Sequence, residues 1–192
     1  MKIPTTLRPR RGFTLIELLV VIAIIAVLAA AGFSVGNRAL NNARKVSAQA
    51  TATSLDQAVN MFFSEYGMFP IESGGGREVD TGSSPTFLNA LIGRDESLNP
   101  RGVRFLSAKE GRSQGEGGRD GLVYGDGNNV RGLYDPWGNP YTVILDVNYE
   151  ERLTFTTPDN RTVTLNGRRV AVYSPGVPDG EQVTTSDLVK TW

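Results

Sequence analysis

The chain has 192 residues, with 20 basic and 20 acidic side chains, 22 glycines, 10 prolines and neither cysteine nor histidine. That length suits one domain with an appendage. The missing residue types exclude disulfides, thiolate or histidine-ligated metal sites, cysteine nucleophiles and the histidine-based hydrolytic triad.

The balanced charge hides an uneven distribution. Lys2, Arg8, Arg10 and Arg11 all precede Gly12 with no acid among them, and without these four 16 bases face 20 acids, a net charge of −4. A domain of that sign carries no electrostatic footprint for nucleic acid. From Phe13 to Phe33 the chain reads FTLIELLVVIAIIAVLAAAGF, in which Glu17 is the one charge. A helix of that length rises about 30 Å, the hydrocarbon thickness of a bilayer. The run is therefore expected to span a membrane. The bases ahead of it keep the N-terminus cytoplasmic and export the remainder. Glu17 is costly there, at roughly 2.5–3.5 kcal/mol near the centre of a span, so it calls for a partner. Its place one turn from Phe13 lets the helix dipole favour the anion by about 0.3–1 kcal/mol.

An ordinary secretory signal has a shorter apolar stretch followed by its cleavage site. Here Arg10-Arg11-Gly12 comes before the apolar run and Phe13-Thr14-Leu15-Ile16-Glu17 opens it. That order resembles the prepilin leader of type IV pili and type II secretion pseudopilins. The resemblance implies that a prepilin peptidase/methyltransferase cuts between Gly12 and Phe13 and methylates the new amine of Phe13. The helix is then kept, first as a membrane anchor and later as the core of a filament. It also implies that Glu17 pairs with the α-ammonium of Phe13 in a neighbouring subunit and sets the register of assembly.

Beyond Phe33, Ala48, Ala52, Leu55, Val59, Phe62 and Tyr66 recur at steps of four and three, one stripe of an amphipathic helix. With no proline between Pro9 and Pro70, one helix is expected from about Thr14 to Tyr66, with a kink where Gly32 and Gly36 fall. Gly67 and Pro70 stop it, and Tyr66-Gly67-Met68-Phe69-Pro70 resembles the tyrosine-proline ending of the pseudopilin helix. Residues Ile71 to Ser84 read as a glycine-rich connection and Thr86 to Ile92 as a short helix. Glycine-rich Gly93 to Gly132 reads as a long loop, with local order at 103–106 and 122–124.

Four strands follow: Tyr141–Val147, Leu153–Thr157, Thr162–Leu165 and Val170–Tyr173. A turn at Pro158-Asp159-Asn160 and a hairpin turn at Asn166-Gly167 connect them. They are expected to form an antiparallel meander covering the C-terminal half of the long helix, an α+β fold of pilin-like type. The organisation is then a leader at 1–12, a hydrophobic helix at 13–33 and an amphipathic helix at 34–66. A variable loop region occupies 67–140, and a sheet with a terminal loop occupies 141–192.

Asp135-Pro136-Trp137-Gly138-Asn139-Pro140-Tyr141 reads as a turn entering a strand, with tryptophan supplying buried surface. It resembles the DPWGNPY signature of the G-type major pseudopilin. Tyr173-Ser174-Pro175-Gly176, Asp187-Leu188 and the closing Trp192 resemble later segments of that family. The resemblance implies one calcium ion in the terminal loop, at Asp179 and Asp187, with Glu181, Thr184 and Ser186 as further oxygen sources. Ser186 stands where the family often has a second adjacent aspartate. Asp120-Gly121 and Asp126-Gly127-Asn128-Asn129 lack the EF-hand pattern, and Gly115 to Gly118 lacks that of a phosphate loop.

The function expected is structural and not enzymatic: a subunit of a type II secretion pseudopilus. Its expected partners are copies of itself, minor pseudopilins, the prepilin peptidase and an inner-membrane assembly platform. Nucleic acid is not among them. It would be anchored once in the inner membrane with its C-terminal domain in the periplasm. The alternatives are a type IV pilus subunit in adhesion, motility or DNA uptake, and a membrane-tethered calcium- or glycan-binding module. Asp120 with Glu116 and Glu150 with Glu151 are carboxylate pairs without the context of a hydrolase.

Overall fold

A computed structural model describes residues 12–72, 75–125, 129–178 and 180–192, leaving out the side chains of 31–38. Two compact units divide the chain, Met1–Asn42 and Ala43–Trp192. Helix α1, Leu15–Tyr66, contributes to both and has the extent expected from the proline-free sequence. The kink expected at Gly32 and Gly36 lies outside the described side chains.

In the first unit the large apolar side chains from Phe13 to Leu28 are between 45% and 82% exposed. Among the described residues no helix is long and apolar enough to cross a membrane. The end of the expected span, 31–33, falls where side chains are not described.

In the second unit α1 buries the stripe completely from Ala48 through Ala52, Leu55 and Val59 to Phe62, with Tyr66 half-buried at its end. The helix stops at Gly67, whose φ of +69° only glycine adopts without strain and whose N–H reaches the Phe63 carbonyl at 2.8 Å. Short helix α2, Pro85–Leu91, lies where the apolar run at 86–92 placed it, and it buries Phe87, Leu88, Ala90 and Leu91.

The central sheet is antiparallel. It is built from β1 (Glu78–Asp80), β6 (Thr142–Leu145), β9 (Val170–Ser174) and β10 (Val189–Lys190), in that order across the sheet. On one face Val143, Leu145, Val170, Val172 and Val189 join the core of the α1 stripe. On the other, Ile144, Ala171 and Tyr173 pack with Leu153, Phe155 and Leu188. Leu153 and Phe155 belong to a separate hairpin, β7 (Arg152–Thr156) with β8 (Thr162–Asn166).

This corrects the expected meander. The four strands exist close to their expected places, but β6 pairs directly with β9, and β7–β8 forms its own two-stranded sheet. The burial pattern gives the reason. Every residue of β9 is buried, so it needs cover on both faces, whereas β7 alternates exposed and buried as a one-sided covering strand does. Asn166-Gly167 accordingly turns out of β8 without making a β8–β9 hairpin, and the Gly167 N–H bonds the Glu151 carbonyl at 2.7 Å.

Two further expectations fail. The connection at 71–84 contains β1, which edges the central sheet. The supposed loop at 93–132 contains two antiparallel ladders, β2 (Arg112–Gln114) with β3 (Gly117–Arg119) and β4 (Gly121–Tyr124) with β5 (Val130–Tyr134). Its glycines make room for a ring. A Cβ on Gly118 would stand 2.6 Å from Tyr134 Cδ2, and one on Gly132 would stand 2.7 Å from Tyr134 Cε2. Of the two stretches expected to be ordered, 122–124 lies within β4. The other, 103–106, is irregular and is tied by the Phe105 and Leu106 N–H groups to the Leu91 carbonyl.

The turn between β7 and β8 also holds the terminal loop. Asp159 accepts hydrogen bonds from Thr157 Oγ1 at 2.5 Å, Arg161 Nε at 2.8 Å and Thr185 Oγ1 at 2.8 Å. The Thr157 hydroxyl foremost, with Thr185 and Arg161, holds its carboxyl down at about 2. Because that value lies below the usual carboxylate value near about 3.9, the stabilisation is present above about pH 4 and disappears as pH falls through about 2. Thermal melts across that window should show wild type losing stability that Asp159→Asn does not lose. Parallel profiles for the two proteins would contradict this assignment.

Candidate assembly and processing site

Gly12 and Phe13 precede the helix as an open segment: among the described residues nothing approaches the Cβ position of Gly12 within 4 Å, and Phe13 is 73% exposed. A processing enzyme needs that access. The basic residues of the leader, Lys2, Arg8, Arg10 and Arg11, lie outside the described residues.

Glu17 is held within its own chain. Its Oε2 accepts hydrogen bonds from the Thr14 N–H at 2.8 Å and the Thr14 hydroxyl at 2.7 Å, while the Glu17 N–H donates to Thr14 Oγ1 at 3.2 Å. This is a reciprocal capping box, which satisfies donors left open at a helix start. Thr14, three residues before Glu17, is the sequence signature of such a box and a nearer partner than the ammonium that the resemblance implies. Both residues are exposed.

Asp135 is completely buried and organises the turn that the sequence singled out. Its Oδ1 accepts the N–H groups of Trp137, Gly138 and Asn139 at 2.8, 2.7 and 2.9 Å. Its Oδ2 accepts Asn139 Nδ2 at 3.0 Å and the Ser174 hydroxyl. Asn139 in turn donates to the Val177 carbonyl at 2.7 Å. One carboxylate thus joins the entry to β6, the end of β9 and the terminal loop. Tyr141, fully buried, closes the motif by donating to the Ala48 carbonyl of α1 at 3.3 Å; burial, with the nearby Asp135 charge, pushes its phenol well up. Trp137 is half-buried against the main core.

Asn99, which the sequence reading did not single out, does comparable work at the other end of α1. It donates to the carbonyls of Ala90 and Val103 at 2.8 and 2.7 Å, and its Oδ1 receives the Tyr66 hydroxyl at 2.6 Å. The bond to Val103 is local, but the Tyr66 hydroxyl comes from 33 residues away, and no local pattern marks that link.

Of the two calcium candidates, Asp179 lies outside the described residues. Asp187 caps its own turn, with Oδ2 accepting the Thr184 N–H at 3.1 Å and the Thr184 hydroxyl. The Ser186 carbonyl receives the Lys45 ammonium and the Ser186 hydroxyl bonds Thr184 at 2.9 Å, while Glu181 is exposed. Calcium needs six to eight converging oxygens. Among the described residues, which do not include Asp179, no group of three acidic side chains is placed to hold a metal.

Residues 7–33 match the prokaryotic N-terminal methylation motif. That span holds the Gly12–Phe13 junction, the Thr14–Glu17 box and the apolar run, so the chain carries a prepilin-type processing signal and is pilin-like at its N-terminus. The motif implies processing by a prepilin peptidase and assembly into a pilin-like filament. No curated protein and no solved structure matches the chain significantly.

Asp135→Ala removes the acceptor of five hydrogen bonds inside the head, and leaving buried donors unpaired should cost about 3 kcal/mol. Asp135→Asn keeps one oxygen for the three backbone donors and should cost less. Thermal unfolding of the full-length protein in detergent checks both, and a loss under about 1 kcal/mol for the alanine variant would contradict the role given to this carboxylate.

Proposed function

We propose that the protein is a non-enzymatic structural subunit of a type II secretion pseudopilus. In this reading it is anchored by Phe13–Phe33 in the inner membrane and then polymerised through that helix. The observation that carries the reading is the apolar run behind a matched methylation motif, opened by a capped acid and exposed along its described length. Such a surface is stable only in lipid or against other apolar surface. The buried Asp135 turn supports the pseudopilin assignment over a pilus subunit, because it gives the DPWGNPY resemblance a structural purpose at the centre of the head.

Glu17 then acts at two stages. In the single chain its carboxylate is capped by Thr14. After cleavage the new α-ammonium of a neighbouring Phe13 competes for it, and a buried pair of that kind fixes register between subunits. Calcium at Asp179 and Asp187 is proposed on the resemblance alone. It requires chelation to lower the melting temperature of the head, and Asp187→Ala to abolish that difference.

Glu17→Ala should leave cleavage after Gly12 intact while filaments fail to form, whereas a bulky residue at Gly12 should leave a slower-migrating precursor. Gel mobility, electron microscopy and a secretion assay read these outcomes. Normal filaments from Glu17→Ala would contradict the assembly role, and long surface fibres with unchanged secretion in a deletion strain would favour a pilus subunit.

A further inference from the structure

The head is acidic overall, yet three arginines line one small cavity. Arg44 from α1 meets Arg112 and Arg119 from the β2–β3 hairpin around a hollow of about 310 Å³ that also includes Ser47 and Asp120. The register sets Arg112 directly opposite Arg119 across the ladder, and like charges in that position destabilise a hairpin. Among the described residues no carboxylate is paired with them. Asp120, the acid lining the cavity, is paired with Lys109 at 2.5 Å, and Lys109 also donates to Ser47 Oγ at 3.1 Å. Among the described residues none of the three guanidinium groups has an ion-pair partner, and Arg119 bonds only the Trp137 carbonyl, at 3.2 Å.

An anion resolves this arrangement. Guanidinium groups bind phosphate oxygens in paired, directional hydrogen bonds, and several around one hollow suit a phosphodiester better than a single carboxylate. The chain also limits where that anion can come from. Arg44 follows Phe33 by eleven residues, so even a fully extended connection holds the cavity within about 40 Å of the apolar run. Resting on the reading of that run as a membrane anchor, we propose that Arg44, Arg112 and Arg119 bind the phosphate of an anionic phospholipid head group, holding the head at the bilayer surface before assembly. The site is then a retention device whose contact with lipid is given up when the subunit enters a filament.

The test uses the full-length protein in dodecyl maltoside, titrated calorimetrically at low salt with dihexanoyl phosphatidylglycerol, dihexanoyl phosphatidylcholine and inorganic phosphate. Phosphatidylglycerol should bind saturably and at least tenfold more tightly than either of the others. The double variant Arg112→Ala/Arg119→Ala should lose at least tenfold in that affinity with a melting temperature no lower than that of wild type. The single variant Arg44→Ala should lose less, and Arg112→Lys/Arg119→Lys should retain part of the binding. Equal affinity for the two lipids, or wild-type binding by the double alanine variant, would overturn the site. Inorganic phosphate binding as tightly as phosphatidylglycerol would overturn the lipid assignment. None of these readouts depends on polymerisation, so Glu17→Ala should bind phosphatidylglycerol as wild type does, and a failure of the filament reading is seen separately from a failure of this one.

Discussion

Among the described residues, the large apolar side chains between Phe13 and Leu28 are left exposed, and that is the constraint on which the rest depends. Burying a leucine, isoleucine or valine is worth roughly 1.5–3 kcal/mol, and this segment presents more than ten such side chains to solvent. Among the described residues that surface stays exposed. The relief has to come from outside, from a bilayer or from other copies, and the methylation motif at the start of the segment is consistent with both in succession. The Thr14–Glu17 box fits the same constraint, since it satisfies the helix start and the lone acid together while no second subunit is present.

The head is arranged around the continuation of the same helix. From Ala48 onward α1 exchanges an exposed apolar surface for a fully buried stripe, and the central sheet lies against it. Because the sheet is covered by α1 on one face and by the β7–β8 hairpin on the other, its strands carry apolar residues at successive positions. Two buried polar side chains fix the connections: Asp135 joins β6, β9 and the terminal loop, and Asn99 joins the end of α1 to the segment after α2. Both have several hydrogen bonds, as a polar group must when it is removed from water.

The sequence made local features legible and long-range pairing much less so. The extent of α1 could be read from the stripe and the absence of proline, the turn at Asp135 from its glycine, asparagine and prolines, and each C-terminal strand from its own pattern. Which strand paired with which could not, because β7–β8 is inserted between two strands that pair with each other, and a hairpin signal at Asn166-Gly167 suggested otherwise. The 93–132 segment departs from its loop-like composition for a different reason. Glycine usually signals a loop, but here Gly118 and Gly132 leave space for the Tyr134 ring, a purpose visible only once the strands are in place. At the candidate site, Gly12, Phe13 and Glu17 are legible from a short motif, and the Thr14 partner is legible from the capping-box spacing Thr14-x-x-Glu17.

The central claim is that this chain is trimmed at the head of its apolar helix and then packed against its own copies. Intact-mass measurement of the native protein, recovered from membranes and from sheared filaments, addresses it most directly. The account predicts a chain beginning at Phe13 with one added methyl group in both fractions. A soluble monomer that still carries residues 1–12 would contradict it.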